Sequence, residues 1–201
     1  IETTTFNCKN KQLPTSEQLD SFDGFIITGS RHAVYDEEQN SWLDPLRKVI
    51  LECDQKHKKL FGVCFGHQLI GQTLGGEVKQ IGFNISRQDW NTSQDFPHPP
   101  QFDLNTFTML AIHEDQVTQV PPDCQVWASN PKCKIAGLLK GHHILTIQPH
   151  PEFTNELLKE LLITKAEGGL EQSLVDGAVK TLDGPLANKN MADWVVNDFF
   201  G

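Results

Sequence analysis

The spacing of apolar and polar positions changes several times along the chain, and each change marks an element. Phe25-Ile26-Ile27-Thr28 and Leu60-Phe61-Gly62-Val63 are short runs without polar alternation, as expected of strands covered on both faces. Between them Leu43, Leu46, Ile50 and Cys53 recur at steps of three and four, which predicts an amphipathic helix over 41–57 with Ser41 or Asp44 as its cap. Helical spacing returns at once after the second run, over 67–74. Upstream, 3–8 reads as a short strand, Ser16 as the cap of a helical turn holding Leu19, and Asp23-Gly24 as a turn. Downstream, strands are expected over 77–87, 106–112, 125–128, 135–139 and 144–148. Helices are expected over 155–165, 170–182 and 190–200. The stretch 89–103, with Pro97, Pro99 and Pro100, reads as a loop. Strands alternating with helices point to a three-layer α/β fold with an open, mostly parallel sheet and helices on both faces. The closely spaced later strands add some antiparallel pairing.

Composition narrows the class. A chain of 201 residues buries one good core, so a single domain over 1–201 is expected. The 38% apolar and 21% charged fractions are ordinary for a globular protein. A net charge of −9 argues against nucleic acid or an anionic membrane as partner. No apolar run approaches the ~18 residues of a membrane span, and no secretory leader is visible. Five cysteines, Cys8, Cys53, Cys64, Cys124 and Cys133, are irregularly spaced and odd in number. That favours reduced thiols and a cytoplasmic setting. There is no CxxC pair to suggest structural zinc.

Candidate chemistry concentrates in three stretches. Cys64 stands between Gly62 and Gly66 where strand character gives way to helix. A cysteine on such a sharp turn is exposed at the carboxyl edge of a sheet, with the first free amides and the positive dipole end of a helix beside it, which favours a thiolate nucleophile. The alternative is a buried cysteine packing as a small hydrophobe. Gly29-Ser30-Arg31-His32 forms a tight turn at the end of the first run, the edge where open α/β sheets bind ligands. In Gln148-Pro149-His150-Pro151-Glu152, the residues before each proline are driven to extended backbone. Glu152 then falls on the same side as His150 and can orient its ring, the logic of a nucleophile, base and orienter. The alternative here is a proline-rich turn with solvated His and Glu.

As an ordered set, ITGS with VYDE, GVCFGHQLIGQTLGG, HEDQV with WAS, and HPEF resemble the class I (triad) glutamine amidotransferases, and in particular standalone proteins similar to the amidotransferase domain of GMP synthase. The resemblance implies a flavodoxin-like fold with Cys64 as nucleophile, His150 as general base and acid, and Glu152 as orienter. It implies an oxyanion hole from the amides of Phe65, Gly29 and Ser30, and Gln68 and Asp115 holding the amino-acid end of glutamine or a γ-glutamyl small molecule. No cofactor is implied. Three departures stand out: the family's opening strand has no counterpart before Ile1, so the native chain is expected to begin upstream; the segment 76–82 is several residues shorter than in GMP synthase; and Pro149 stands where Phe or Gly usually precedes the histidine. No synthetase domain follows, so any ammonia acceptor is expected on another chain.

Other clusters read as structural. His113-Glu114-Asp115 are adjacent and cannot all face one metal ion, so none is expected there. His142-His143 read as opposite faces of a strand, Arg31-His32 as an exposed polar loop with anion binding beside the Gly29 turn as the alternative, and Trp42, Trp90, Trp127 and Trp194 as core or interface aromatics. The leading expectation is cysteine-dependent hydrolysis of a γ-glutamyl amide, as a self-contained peptidase or as the glutaminase subunit of a synthetase. A regulatory protein retaining the fold without turnover is the first alternative, and a cysteine-based redox protein the second.

Overall fold

A computed structural model describes residues 2–36, 38, 40–93, 96 and 105–201. Among the described residues seven strands form one sheet: β1 (Gly24–Ile27), β2 (Lys59–Val63), β3 (Glu77–Thr92), β4 (Thr106–Gln119), β5 (Gln125–Ser129), β6 (Gly137–Lys140) and β7 (Ile144–Ile147). Their order is β1-β2-β7-β6-β5-β3-β4. β1, β2 and β7 pair in parallel, and every other pairing is antiparallel. The sheet is therefore mixed, with its parallel part confined to the three strands whose carboxyl ends carry Gly29, Cys64 and His150.

Both faces of β2 and β7 are covered, which explains the unbroken apolar run of each; β1 is not covered on both faces as its sequence predicts, because it is the edge strand and leaves Ile26 57% exposed. In β7, Ile144 enters a cluster with Leu60, Phe65, Leu69 and Ile70 on one face, whereas Leu145 and Ile147 join Phe61, Val63, Trp127 and Trp194 on the other. The first face is lined by helices α1 (Ser16–Ser21), α2 (Leu43–Gln55) and α3 (Phe65–Thr73). The second is closed by α6 (Asn188–Trp194) and the π-helical turn Val195–Phe199 that continues it. A third cluster seats α4 (Asn155–Glu167) and α5 (Gln172–Val179) on Leu110, Ile85 and Ile112. All four tryptophans are buried.

Several local expectations change. Stretch 3–8 is not a strand: no regular structure precedes a 3-10 turn at Cys8–Asn10, closed because the Asn7 side chain accepts from the Asn10 amide. Thr15, not Ser16, caps α1; its hydroxyl accepts from the Gln18 amide, and Gln18 reaches back to the Thr15 amide. At α2 neither Ser41 nor Asp44 caps; the cap position is Trp42, which makes no side-chain cap bond, and Asp44 instead meets Arg47 at 3.2 Å. The stretch 89–92 is strand, not loop, because Asn91 finds partners in both Thr106 and Ser129; residues 94, 95 and 97–103 of that stretch lie outside the described residues. β4 runs past 112 to Gln119, so His113, Glu114 and Asp115 are strand residues. His142 and His143 sit in the turn between β6 and β7 rather than in a strand. His143 is buried against Asp54, 2.8 Å away.

Candidate active site

Cys64 is the pivot between β2 and α3, and in this structure it is buried, 6% exposed, rather than exposed as its turn predicts. Its backbone is left-handed, φ 51° and ψ −100°, a conformation that costs a non-glycine residue and is held by its surroundings. The constraint is visible at the two flanking glycines. A Cβ on Gly66 would lie 2.2 Å from the Ile27 carbonyl oxygen, and one on Gly62 would lie 2.6 Å from Ile70 Cδ1. Neither position admits a side chain, so the strand-to-helix turn closes tightly. The Cys64 amide donates to Ile147 O at 2.9 Å, which locks the turn to β7. Phe65 opens α3, so its amide has no partner within the helix.

His150 reaches the same place from the third parallel strand. Its amide donates to Leu110 O at 2.9 Å, tying the segment after β7 to β4. Nδ1 meets Glu152 Oε1 at 2.7 Å, with the imidazole 6% and the carboxylate 48% exposed; the ring is sealed while the carboxylate stays in contact with water. The Phe153 ring stacks flat on the imidazole, centroids 4.0 Å apart and 9° from parallel. Nε2 is buried without a hydrogen-bond partner among the described residues. Burial alone pulls the imidazole pKa down, but the Cys64 sulfur and the Glu152 carboxylate outweigh it and hold His150 well above the usual histidine range.

Gly29 completes the juxtaposition. A Cβ there would stand 3.1 Å from His150 Cε1 and 3.7 Å from Cys64 Cβ, so the backbone after β1 lies directly against both side chains. Ser30 spends its hydroxyl on His32 Nδ1, 2.9 Å away, which leaves its amide as its contribution to the edge. Trp42 packs on Phe65 of α3, and the Arg47 guanidinium donates to Val34 O and to Gln72 Oε1 of α3, each at 2.6 Å.

Gln68 and Asp115 also meet here, through Gln68 Nε2 donating to the Asp115 carbonyl at 2.8 Å. The Asp115 carboxylate accepts from Tyr35 Oη at 2.8 Å; desolvation first, and then that carboxylate, push the phenol up to about 12. Sequence reasoning missed Tyr35, Phe153 and Gln148. Phe153 alone carried a local signal, three residues after His150; the others act across the chain. Desolvation depresses His113 to about 4 and His67 to about 3, so both are neutral. Each has its two nitrogens paired: His113 with Asp115 O and Asn84 Nδ2, His67 with Ile135 O and Thr146 Oγ1. Among the described residues no group of His, Cys, Asp and Glu side chains is arranged to hold a metal ion, and no helix is long and apolar enough to cross a membrane.

A cysteine at a helix N-terminus and a buried imidazole with a carboxylate on its far nitrogen are an arrangement able to support acyl transfer. Residues 1–166 match the family model described as glutamine amidotransferase class-I. A γ-glutamyl peptidase of Arabidopsis thaliana is 30% identical over 161 residues, which are 78% of this chain and 64% of that relative, somewhat under two thirds of its length. A glutamine-hydrolysing GMP synthase of Herminiimonas arsenicoxydans is 30% identical over 153 residues, 71% of this chain and 27% of the synthase. A glutamine amidotransferase crystal structure from Thermotoga maritima superposes with TM-score 0.79 at 17% identity, covering 97% of this chain and 85% of that one.

Proposed function

Starting from the chain's membership of the class-I glutamine amidotransferase family, we propose that it hydrolyses the amide bond of γ-glutamyl compounds through a thioester on Cys64. The observation that carries this reading is the meeting of Cys64, His150 and Glu152 at the carboxyl edge of β2 and β7, with Gly29 packed against both the cysteine and the histidine. The Cys64 thiolate attacks the γ-carbonyl carbon. The developing oxyanion lies among the amides of Phe65, Gly29 and Ser30. The imidazolium of His150 gives its Nε2 proton to the departing nitrogen, the C–N bond breaks, and an amine or ammonia leaves. Water, deprotonated by the now neutral His150, attacks the thioester carbonyl; the C–S bond breaks and glutamate departs. Glu152 supports the imidazolium in both half-reactions by holding Nδ1–H. Gln68 and Asp115 would receive the α-amino and α-carboxyl end of the substrate, with Tyr35 fixing the Asp115 carboxylate.

Likeness to the γ-glutamyl peptidase favours a peptide amine as leaving group. A second reading, a glutaminase delivering ammonia to a synthetase on another chain, rests on the likeness to GMP synthase. Assays of ammonia release from glutamine and of glutamate release from γ-glutamyl dipeptides separate the two. Cys64-dependent peptide turnover by the isolated chain is the expected result; turnover of glutamine alone, enhanced by a partner, favours the second. No turnover of either overturns both.

A further inference from the structure

Buried polar side chains are ordinarily satisfied, and Gln148 is an exception beside the candidate site. It is 0% exposed, its Oε1 accepts from Gln68 Nε2 at 3.2 Å, and its own Nε2 has no partner among the described residues. Its place is not incidental. Gln148 precedes His150 by two residues, its own amide donating to Ala136 O at 2.7 Å, and Gln68 follows Cys64 by one helical turn, its amide donating to Cys64 O at 3.0 Å. The four side chains therefore form two rungs between α3 and the segment after β7. Cys64 and His150 make one rung, Gln68 and Gln148 the other.

The Asp115 carbonyl sets which way the Gln68 amide faces, and the second rung holds it there. A backbone carbonyl only accepts, so the contact with Asp115 O at 2.8 Å requires the nitrogen of Gln68 on that side. The Gln148 oxygen takes the other N–H. Both donors are then spent, and Gln68 Oε1, which accepts no hydrogen bond among the described residues, is the atom left for a ligand. An oxygen acceptor one turn from the nucleophile suits a cationic donor on the substrate.

Resting on the hydrolase reading above, we propose that Gln148 is a positioning residue: it holds Gln68 with its oxygen presented to the α-ammonium, and so selects γ-glutamyl compounds over otherwise identical glutaryl compounds. Its unpaired nitrogen is a stability loss accepted for that orientation. The full chain carrying Cys64→Ala permits binding without turnover, with γ-L-glutamylanilide and glutarylanilide as probes that differ only in the α-ammonium. Titration calorimetry should show preference for the γ-glutamyl probe. Adding Gln148→Met should cut that preference by about tenfold or more, through the γ-glutamyl probe alone, while the melting temperature stays or rises. Gln148→Glu, which keeps an acceptor for Gln68, should retain most of the preference. Equal weakening of both probes, an unchanged preference, or a lower melting temperature with Gln148→Met would overturn the assignment in favour of a structural role. Hydrolysis by the wild type, run in parallel, reports separately: no turnover with a Gln148-dependent preference overturns the hydrolase reading and sustains the positioning role, whereas turnover without Gln148 dependence does the reverse. A Cys64→Ala chain that binds neither probe overturns both.

Discussion

Cys64, His150 and Glu152 are each set by a different local constraint, and each predicts a different failure. Cys64 owes its φ of 51° to two glycines that admit no Cβ, so Cys64→Ala should retain the fold while lowering kcat/KM by about 10³-fold or more. Glu152 is half exposed and supports the His150 cation. Its replacement by Gln should cost about 10²-fold in kcat and move the alkaline limb of the pH–rate profile to lower pH, because the carboxylate that raises the imidazole pKa is gone. A limb that stays in place would show that Glu152 does not control that proton. Gly29→Ala places a methyl against His150 Cε1 at 3.1 Å. It should slow turnover by about tenfold with little change in melting temperature, since the imidazole must shift by a few tenths of an ångström. These positions were legible because their signals are local, a glycine pair around a cysteine and a His-Pro-Glu run; the extended backbone expected across that run does not form, since 151–152 are a turn in which the Phe153 amide donates to His150 O at 3.4 Å. Tyr35 and Gln148 were not, because their partners Asp115 and Gln68 lie 80 residues away in sequence in each case.

Among the elements, α3 carries the site and is anchored by its buried polar residue. His67, one step before Gln68, uses Thr146 Oγ1 of β7 at 2.7 Å, and the same hydroxyl accepts from the Leu138 amide of β6 at 3.0 Å. Since the neutral ring donates from Nε2 to Ile135 O, Nδ1 is the acceptor and the Thr146 hydroxyl the donor. Thr146→Val should therefore destabilise by about 2 kcal/mol in urea unfolding, by leaving His67 Nδ1 and the Leu138 amide unpaired. Gly66→Ala, which drives a Cβ into the Ile27 carbonyl, should cost about 3 kcal/mol. An unchanged midpoint for either would mean that the helix is not held as described. Element boundaries were less legible than element types. Thr15 displaced Ser16 as cap because a reciprocal pair with Gln18 was available, and 89–92 became strand because two distant strands offered partners to a polar sequence that has no apolar pattern of its own.

On the scale of the whole molecule, the layer arrangement was legible from the apolar runs, which bury on both faces in β2 and β7. The division into a parallel part and an antiparallel part depends on pairings that no local pattern encodes, such as β3 beside β5. Buried histidines give the molecule a pH signature. His67 and His113 are depressed in the folded chain to about 3 and about 4, below the ~6.5 of unfolded chain. Unfolding then takes up protons, so their contribution to stability is complete above pH ~6.5 and is lost as pH falls towards 4. His150 has the opposite sign: its raised folded pKa favours the fold below pH ~6.5, and that contribution fades as pH rises through the folded value. Urea midpoints should consequently fall from neutral pH to pH ~4.5; a midpoint that rose over that range would contradict the neutral state of His67 and His113.

The claim on which the account turns is that a γ-glutamyl group passes through Cys64. Rapid acid quench of the wild-type chain with a γ-glutamyl anilide, followed by intact-protein and peptide mass spectrometry, tests it most directly. The account predicts one γ-glutamyl adduct on the peptide containing Cys64, absent from Cys64→Ala and discharged when turnover is allowed to finish. Product formation without any adduct on that peptide, or undiminished turnover by Cys64→Ala, would contradict it.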